Sequence, residues 1–166
     1  MIGLLQRVTE ARVEVGGTII AEIGAGLLVF VGVERGDTVV QADRMLERLL
    51  GYRVLPDAEG RMNRSLEETG GGLLLVPQFT LAAETKKGMR PSFTPAAEPS
   101  EGQRLFAYLS QRAQAVHPTV AYGRFGSHMH RSGRLGLSAS ANASARHARV
   151  RQAPGARCGA PRRLGA

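Results

Sequence analysis

The sequence has 166 residues, about the length of one domain, which is enough to bury a hydrophobic core. Hydrophobic residues make up 43% of the chain and charged residues 22%, values that exclude collagen-like and fully disordered proteins. The formal net charge of +8 by itself favours a nucleic-acid or membrane partner. A single cysteine, Cys158, excludes a disulfide framework or a cysteine metal cluster within one chain.

The positive charge is confined to the C-terminal segment, residues 131–166. This segment holds eight arginines and neither lysine nor an acidic residue, whereas residues 1–130 are formally neutral. It is rich in Ala, Arg, Gly and Ser, so it cannot bury enough apolar surface to order itself. Its composition fits a solvated, disordered end without a role, and the alternative is a tail that binds RNA by counterion release.

No membrane or export signal is visible in the sequence. No apolar run approaches the ~18 residues that a membrane span needs, and the first residues, MIGLLQR, lack the features of a signal peptide. We therefore expect a cytoplasmic protein without a membrane partner.

The N-terminal part of the chain predicts strands. Residues 4–15 have the pattern of extended chain, Gly16-Gly17 predicts a two-residue hairpin turn, and residues 18–22 return as a second strand. The near-continuous apolar run of residues 27–33 is typical of a central strand that is buried on both faces.

Two principal helices are predicted. Asp37 is the expected N-cap of the first, which runs through about Leu50 and ends before Gly51. Residues 101–115 have helical spacing of their apolar positions and predict the second.

The remaining elements are strands and loops. Residues 51–55 predict a short extended piece, and residues 73–76 predict a second buried strand. Residues 85–99 contain three prolines and predict a loop, and residues 119–129 predict another strand. The pattern stops after His130. The sequence thus predicts a small α+β domain with an apolar sheet and two principal helices.

Generic catalytic and metal motifs are mostly absent. There is no phosphate-binding loop, no nucleophile elbow and no His-Glu-x-x-His motif. His128 and His130 have strand spacing, but no third ligand is evident, so we predict no metal site. Glu67 and Glu68 are adjacent and diverge, so they do not form a carboxylate pair. His117 follows a helix and is expected on the surface.

One junction stands out as a candidate site, the run Val-Pro-Gln-Phe-Thr-Leu at residues 76–81. Gln78 and Thr80 flank Phe79 at the end of a strongly apolar strand, where strand ends open into binding clefts. A turn-forming segment follows at residues 88–93, and its one arginine could reach a phosphate or a carbonyl oxygen. The alternative is that Phe79 is a core residue and Thr80 satisfies a backbone group.

These residues carry a resemblance to a known family. Over roughly residues 1–130 the chain resembles the D-aminoacyl-tRNA deacylases, also called D-tyrosyl-tRNA deacylases. Several independent motifs in the same order are more specific than any one of them. The motifs are Gln6-Arg7-Val8, the run from Gly26 to Val33, Arg61-Met62-Asn63, Gln78-Phe79-Thr80-Leu81, Gly88-Met89-Arg90-Pro91-Ser92-Phe93, and Thr119 through Gly123-Arg124-Phe125-Gly126.

The resemblance implies both a fold and an activity. The implied fold is α+β, with a mostly antiparallel sheet or partial barrel. The implied protein is a homodimer that hydrolyses the ester joining a D-amino acid, or glycine, to the 3′-terminal adenosine of tRNA, with no cofactor. In the mechanism that the resemblance implies, the ribose 2′-hydroxyl helps to position or activate water, while backbone amides near Thr80 cradle the oxyanion. Thr80 as a nucleophile is the alternative.

The resemblance also assigns site residues. Gln78 and Thr80 are expected to be catalytic and Phe79 to bind substrate. The residues expected to line the adenosine or aminoacyl pocket are Met89, Arg90, Pro91, Ser92 and Phe93. The family's first signature is Ser-Gln-Phe-Thr-Leu, and here Pro77 replaces the serine, which removes an N–H group and a hydroxyl at the edge of the pocket.

The C-terminal part departs from the family. The second signature, a cis Gly-Pro that one subunit inserts into its partner's pocket to exclude L side chains, is expected near residues 137 and 138, which are Leu137 and Ser138. We interpret residues 131–166 as an aberrant or disordered tail after an incomplete deacylase domain at residues 1–130, and a frameshift is our hypothesis for its origin. The alternatives to an active enzyme are an inactive truncated deacylase and a non-catalytic RNA-binding protein that uses the basic tail.

Overall fold

The fold is an α+β unit built on one mixed sheet, which confirms the predicted class. A computed structural model describes residues 1–84, 90–126, 129–135 and 148–151, the last two as strand backbone. The strands are β1 (Ile2–Val15), β2 (Thr18–Ile23), β3 (Gly26–Gly32), β4 (Leu55–Pro56), β5 (Met62–Arg64), β6 (Gly72–Pro77), β7 (Val120–Tyr122), β8 (Met129–Leu135) and β9 (Ala148–Arg151). The helices are α1 (Val39–Gly51), α2 (Leu66–Thr69), a 3-10 turn (Phe79–Ala82) and α3 (Pro99–Val116).

The long strand β1 pairs with both of the strands that follow it. The predicted hairpin turn at Gly16-Gly17 is confirmed, and both glycines have positive φ. β2 pairs antiparallel with the second half of β1, and β3 pairs antiparallel with its first half. The register continues from β3 into β2 and shifts by one residue between Val13 and Glu14. β8 and β9 also pair with β1, at Val8–Val15 and at Ile2–Leu5. β1 therefore has strand partners along both of its edges.

β3, β6 and β7 form the parallel part of the sheet. Alternate residues of β3 and β6 enter two separate hydrophobic clusters. Leu27 and Leu73 belong to the cluster beneath the helices, whereas Leu28 and Leu74 belong to the cluster on the opposite face. This confirms the prediction that both apolar runs are strands buried on both faces.

The two principal helices pack on one face of the sheet and on each other. The buried residues of α1 and of α3 share one cluster with the odd-numbered residues of β3 and β6. Asp43 of α1 accepts a hydrogen bond from the Tyr108 hydroxyl at 3.0 Å and one from Arg112 Nε at 3.2 Å. These hydrogen bonds join α1 to α3.

Local details near the helices differ from the sequence predictions. The N-cap of α1 is Thr38, one residue after the predicted Asp37, because Thr38 and Gln41 form a capping box. The short helix α2 was not predicted. Glu68 does not face Glu67 but caps α2 through a reciprocal bond with Ser65.

Two predictions near the end of α3 are wrong. His117 is 5% exposed rather than on the surface, because the end of α3 brings its Nε2 to 2.7 Å from the carbonyl oxygen of Gly71. The predicted strand at residues 119–129 is interrupted. β7 covers only Val120–Tyr122, and a turn with positive φ at Gly126 follows.

The C-terminal part contains strands where the sequence pattern predicts none. β8 crosses the predicted boundary at residue 130, and β9 lies farther into the same segment. Residues 137 and 138, where the family's Gly-Pro is expected, lie outside the described residues. Within the part of the chain that the structure describes, no helix is long and apolar enough to cross a membrane.

The start of β1 is held by two carboxylates. The Met1 ammonium nitrogen lies 2.6 Å from Asp37 Oδ1 and 3.1 Å from Glu34 Oε2. Asp37 Oδ2 also accepts the backbone N–H of Glu34 at 2.7 Å. Asp37 therefore joins the first strand to the segment that leads into α1.

Replacing Asp37 by alanine is expected to destabilise the fold. Asp37→Ala leaves a buried ammonium group with one carboxylate, so we expect the free energy of unfolding to fall by about 1–3 kcal/mol, measured by urea denaturation. The control is Arg35→Ala, which removes only an exposed ion pair with Glu98 and is expected to cost at most about 0.5 kcal/mol. Equal effects of the two changes would contradict this prediction.

Candidate functional site

The candidate site lies where β3 and β6 end. Because these strands are parallel, their carboxyl ends adjoin, and Val31 is paired with Pro77 there. The backbone N–H of Gln78 donates to the Val31 carbonyl oxygen at 2.8 Å, and the chain then enters the 3-10 turn. The carboxyl ends of parallel strands are a common place for ligand sites.

The turn brings together the polar side chains that the sequence singles out. Gln78 Nε2 donates to Thr80 Oγ1 at 2.6 Å. Phe79 lies between them in sequence and is 60% exposed, while Ala82 at the end of the turn is buried. The alternative in which Phe79 is a core residue is therefore wrong. The turn anchors on Ala82 and presents its other side chains outward.

A second segment reaches the turn because it pairs with the extension of β3. The backbone N–H of Arg35 donates to Pro95 O at 2.8 Å, and that of Ala97 donates to Val33 O at 3.1 Å. Residues 33–35 and 95–97 thus run side by side next to the end of β6.

This pairing places a second aromatic ring beside Phe79. The ring of Phe93 lies with its centroid 5.4 Å from that of Phe79, at an interplanar angle of 52°. Phe93 is itself 44% exposed. Glu84 and Ser92 exchange two backbone hydrogen bonds, at 2.8 Å and 3.0 Å, directly before Phe93 in the chain. Two exposed, tilted aromatic rings therefore stand next to the Gln78–Thr80 pair.

The other predicted pocket residues are distributed less tightly. Ser92 Oγ lies 2.9 Å from Thr94 Oγ1, so its hydroxyl is engaged within its own loop. Arg90 and Pro91 are exposed, and no described hydrogen bond or ion pair joins Arg90 to the turn. Met89 lies outside the described residues. The structure thus brings together Gln78, Phe79, Thr80 and Phe93 from the predicted set.

The chemistry available at the turn is uncharged. The side chains of Gln78 and Thr80 can donate and accept hydrogen bonds without carrying charge. The first amides of a helical turn have no carbonyl partner within that turn, so those of Phe79 and Thr80 can face an anionic oxygen. Among the described residues there is no group of three or more His, Cys, Asp or Glu side chains that could hold a metal ion.

Sequence reasoning missed the residues that support the site. Glu84, Thr94 and the extension of β3 at residues 33–35 have no motif of their own. Their role depends on pairing between segments about 60 positions apart, such as the isolated bridge between Glu34 and Ala96. The prolines around residue 93 indicate a loop but do not indicate which strand the loop follows.

Comparison with known proteins identifies the family. A family model described as D-Tyr-tRNA(Tyr) deacylase matches residues 4–133. Curated proteins named D-aminoacyl-tRNA deacylase from Thioalkalivibrio sulfidiphilus and Methylococcus capsulatus are 63% and 62% identical over 129 residues. The match covers 78% of this chain and 87% and 84% of those proteins. The chain therefore belongs to the D-aminoacyl-tRNA deacylase family, and the resemblance noted from its motifs is confirmed.

Solved structures agree with this fold. The c-Myc DNA Unwinding Element Binding Protein superposes with a TM-score of 0.81 at 26% identity, covering 92% of this chain and 99% of that one. A structure described as a probable eukaryotic D-amino acid tRNA deacylase has a TM-score of 0.67 at 18% identity, covering 81% and 94%. The second likeness shows the fold alone.

Pro77 is accommodated by its position at the end of β6. The backbone N–H of Leu73 donates to Thr119 O at 2.9 Å, and Leu75 O accepts from Gly123 at 2.8 Å, so these alternate residues bond toward β7. By the same alternation, the backbone of Pro77 faces the β7 side of the strand, at a point beyond the end of β7. The N–H group that proline lacks is therefore not one that would bond to β3. This explains how a proline fits a buried strand without disrupting the parallel pairing.

Restoring the family's serine tests whether Pro77 limits the reaction. If the missing N–H and hydroxyl held the substrate carbonyl, Pro77→Ser should raise the rate of D-tyrosyl-tRNA hydrolysis, by up to about a hundredfold for a lost oxyanion donor. Pro77→Ala, which restores the N–H alone, separates the two groups. The measurement is the initial rate of D-tyrosyl-tRNA hydrolysis by each variant and by the native chain. An unchanged rate in Pro77→Ser would contradict the hypothesis that Pro77 limits the reaction.

Proposed function

We propose that this chain hydrolyses the ester bond of D-aminoacyl-tRNA and releases the free D-amino acid and tRNA. The observation that carries the proposal is the 63% identity over 129 residues with a protein named D-aminoacyl-tRNA deacylase. The matched residues 4–133 span the whole turn that holds Gln78, Phe79 and Thr80. Glycine esters of tRNA are included in the proposed substrate class.

The proposed reaction is the attack of water on the ester carbonyl carbon. A C–O bond forms from water, the carbonyl oxygen becomes an oxyanion, and the bond to the ribose 3′-oxygen then breaks. The 3′-oxygen takes up a proton, and the D-amino acid leaves as its carboxylate. The amides of Phe79 and Thr80 at the start of the 3-10 turn are suited to stabilise the oxyanion, since donors held in place need no reorganisation.

The proposed general base is supplied with the help of the RNA. Gln78 and Thr80, joined by the 2.6 Å hydrogen bond, have no group that gains or loses a proton near neutral pH. The ribose 2′-hydroxyl stands next to the scissile ester and can position or activate water. A threonine hydroxyl without an adjacent base is a poor nucleophile, which favours water over Thr80.

The aromatic pair is proposed to bind the end of the tRNA. Phe79 and Phe93 expose their rings to solvent beside the turn. Bases of single-stranded RNA stack on such rings, with about 1–3 kcal/mol per base. The terminal adenine or the aminoacyl side chain would cover these rings, and Arg90, Pro91, Ser92 and Met89 would line the remainder of the pocket.

We further propose that the active form is a homodimer in the cytoplasm, where charged tRNA is present. In the family, selection against L-amino acids depends on a Gly-Pro that the partner subunit supplies. Leu137 and Ser138 stand where that dipeptide is expected, so we infer that enantiomer selection is weakened in this chain. A thousandfold preference corresponds to only about 4 kcal/mol, which a single lost clash can remove.

Hydrolysis of two enantiomeric esters tests the proposed function. Purified protein should release tyrosine from D-tyrosyl-tRNA, and its rate on L-tyrosyl-tRNA reports enantiomer selection. Thr80→Val should lower the D-specific rate about tenfold to a hundredfold, because it removes the hydroxyl that bonds Gln78. The control is Thr18→Val, at an exposed position in β2, which should leave the rate unchanged. Folded protein that cleaves neither ester would refute the activity.

A second candidate function is non-catalytic RNA binding by the basic tail. It is favoured by the eight arginines and the absence of acidic residues in residues 131–166. Affinity from such a tail falls steeply with salt and does not depend on an aminoacylated 3′ end. Replacing Arg157, Arg162 and Arg163 by glutamine should therefore flatten the salt dependence of binding to uncharged RNA while D-tyrosyl-tRNA hydrolysis is retained. Loss of hydrolysis in this variant would favour a catalytic role for the tail.

The reading frame of residues 131–166 has its own test. We propose that this segment arises from a frameshift, because the family match ends at residue 133 and acidic residues are absent beyond it. Resequencing the gene should reveal the shift. Detection of peptides from residues 131–166 in the protein made from the unaltered gene would contradict the frameshift.

A further inference from the structure

Gly32, the last residue of β3, lies directly against the 3-10 turn of the site. A Cβ atom added to Gly32 would come within 2.9 Å of the Leu81 Cβ, 3.3 Å of the Gln78 carbonyl oxygen and 3.5 Å of the Ala82 nitrogen. Cβ atoms essentially never approach another heavy atom within 3.0 Å. The turn therefore occupies the space that any other side chain at Gly32 would need.

The atoms around Gly32 cannot move away independently. Two of them are backbone atoms of the turn, and the third is a Cβ that is rigidly attached to it. The turn is also tied to β3 next to Gly32, because Gln78 N–H donates to Val31 O at 2.8 Å. A side chain at Gly32 must push the turn as a unit, pivoting about that bond.

A glycine is needed at position 32 because the turn lies so close to β3, and not because of the backbone conformation there. Gly32 is not among the glycines with positive φ, so its backbone conformation is open to other residues. It pairs with Ile2 of β1 in a regular register, so the strand pairing itself does not require a glycine at this position. Only the distance to the turn requires a residue without a side chain.

We propose that Gly32 is a positioning residue for the hydrolytic reaction. It sets how close the turn lies to the carboxyl end of β3, and so where Phe79, Thr80 and their amides stand relative to the ester. This inference rests on the proposed function of the same turn. Displacement of catalytic groups by about 1 Å costs up to a hundredfold in rate.

The test is Gly32→Ala, compared with Gly3→Ala. Gly3 is a buried glycine of the same sheet whose added Cβ would lie 3.1 Å from the Met45 Sδ, the end of a flexible side chain that can yield. We expect Gly32→Ala to lower kcat for D-tyrosyl-tRNA by about tenfold to a hundredfold with KM changed less than about threefold, because most tRNA contacts persist. Gly3→Ala should keep the native kcat.

A second substitution distinguishes displacement of the turn from a general folding defect in Gly32→Ala. Leu81→Gly removes the nearest atom, so adding it to Gly32→Ala should recover part of the lost kcat. A native kcat in Gly32→Ala overturns the proposal. So does a loss of kcat that only follows the folded fraction measured by circular dichroism, or a loss that the Leu81→Gly change fails to relieve.

Hydrogen exchange separates this inference from the proposed function. Gly32→Ala should speed amide exchange in residues 78–82 while leaving that of β1 unchanged, whether or not the native chain hydrolyses the ester. If the native chain is inactive but exchange changes in this way, the positioning role stands and the proposed reaction fails. If the native chain is active and exchange in residues 78–82 is unchanged, the positioning role fails alone.

Discussion

The parallel pairing of β3 with β6 is the constraint on which the rest of the structure depends. Parallel neighbours cannot be joined by a tight turn, so residues 33–71 leave the sheet, form α1 and α2, and return. This crossover places α1 against the sheet, where α3 later packs beside it. Because both strands are buried on both faces, their apolar surfaces hold the helices on one side and the second cluster on the other.

The same pairing explains why the site is exposed and yet well defined. Its polar and aromatic groups stand on a turn whose N-cap residue, Gln78, is bonded to Val31 and whose last residue, Ala82, is buried. Rigid strands thus fix the base of the turn, while Phe79 and Thr80 remain in contact with solvent. The side chains of Gln78 and Thr80 offer uncharged hydrogen-bond donors and acceptors at this exposed position.

The sequence predicts the fold best where the pattern is local. The Gly16-Gly17 hairpin, the two apolar strands and the two long helices each follow from residues within about fifteen positions of one another. His117 was misplaced because its partner, Gly71, lies 46 positions away and leaves no trace in the local pattern. The four-residue α2 is too short for a periodic signal.

The candidate site shows the same limit. An aromatic residue at the end of a strand fits a core or a cleft equally well, so Phe79 could be placed only through the family motif. Phe93 was linked to it by the same resemblance, but the contact between their rings depends on the bridge between Glu34 and Ala96. Local chemistry identifies which groups are available, and the long-range pairing determines which of them meet.

The two-sided pairing of β1 joins segments that lie far apart in the order of synthesis. Residues 2–15 are made long before β8 and β9, which cover their second edge. Contacts of such sequence separation form slowly, and an uncovered strand edge invites pairing with other chains. The nascent chain therefore carries an open edge until β8 and β9 have been made. Changes in β8 or β9 act on β1 through the time for which that edge stays uncovered.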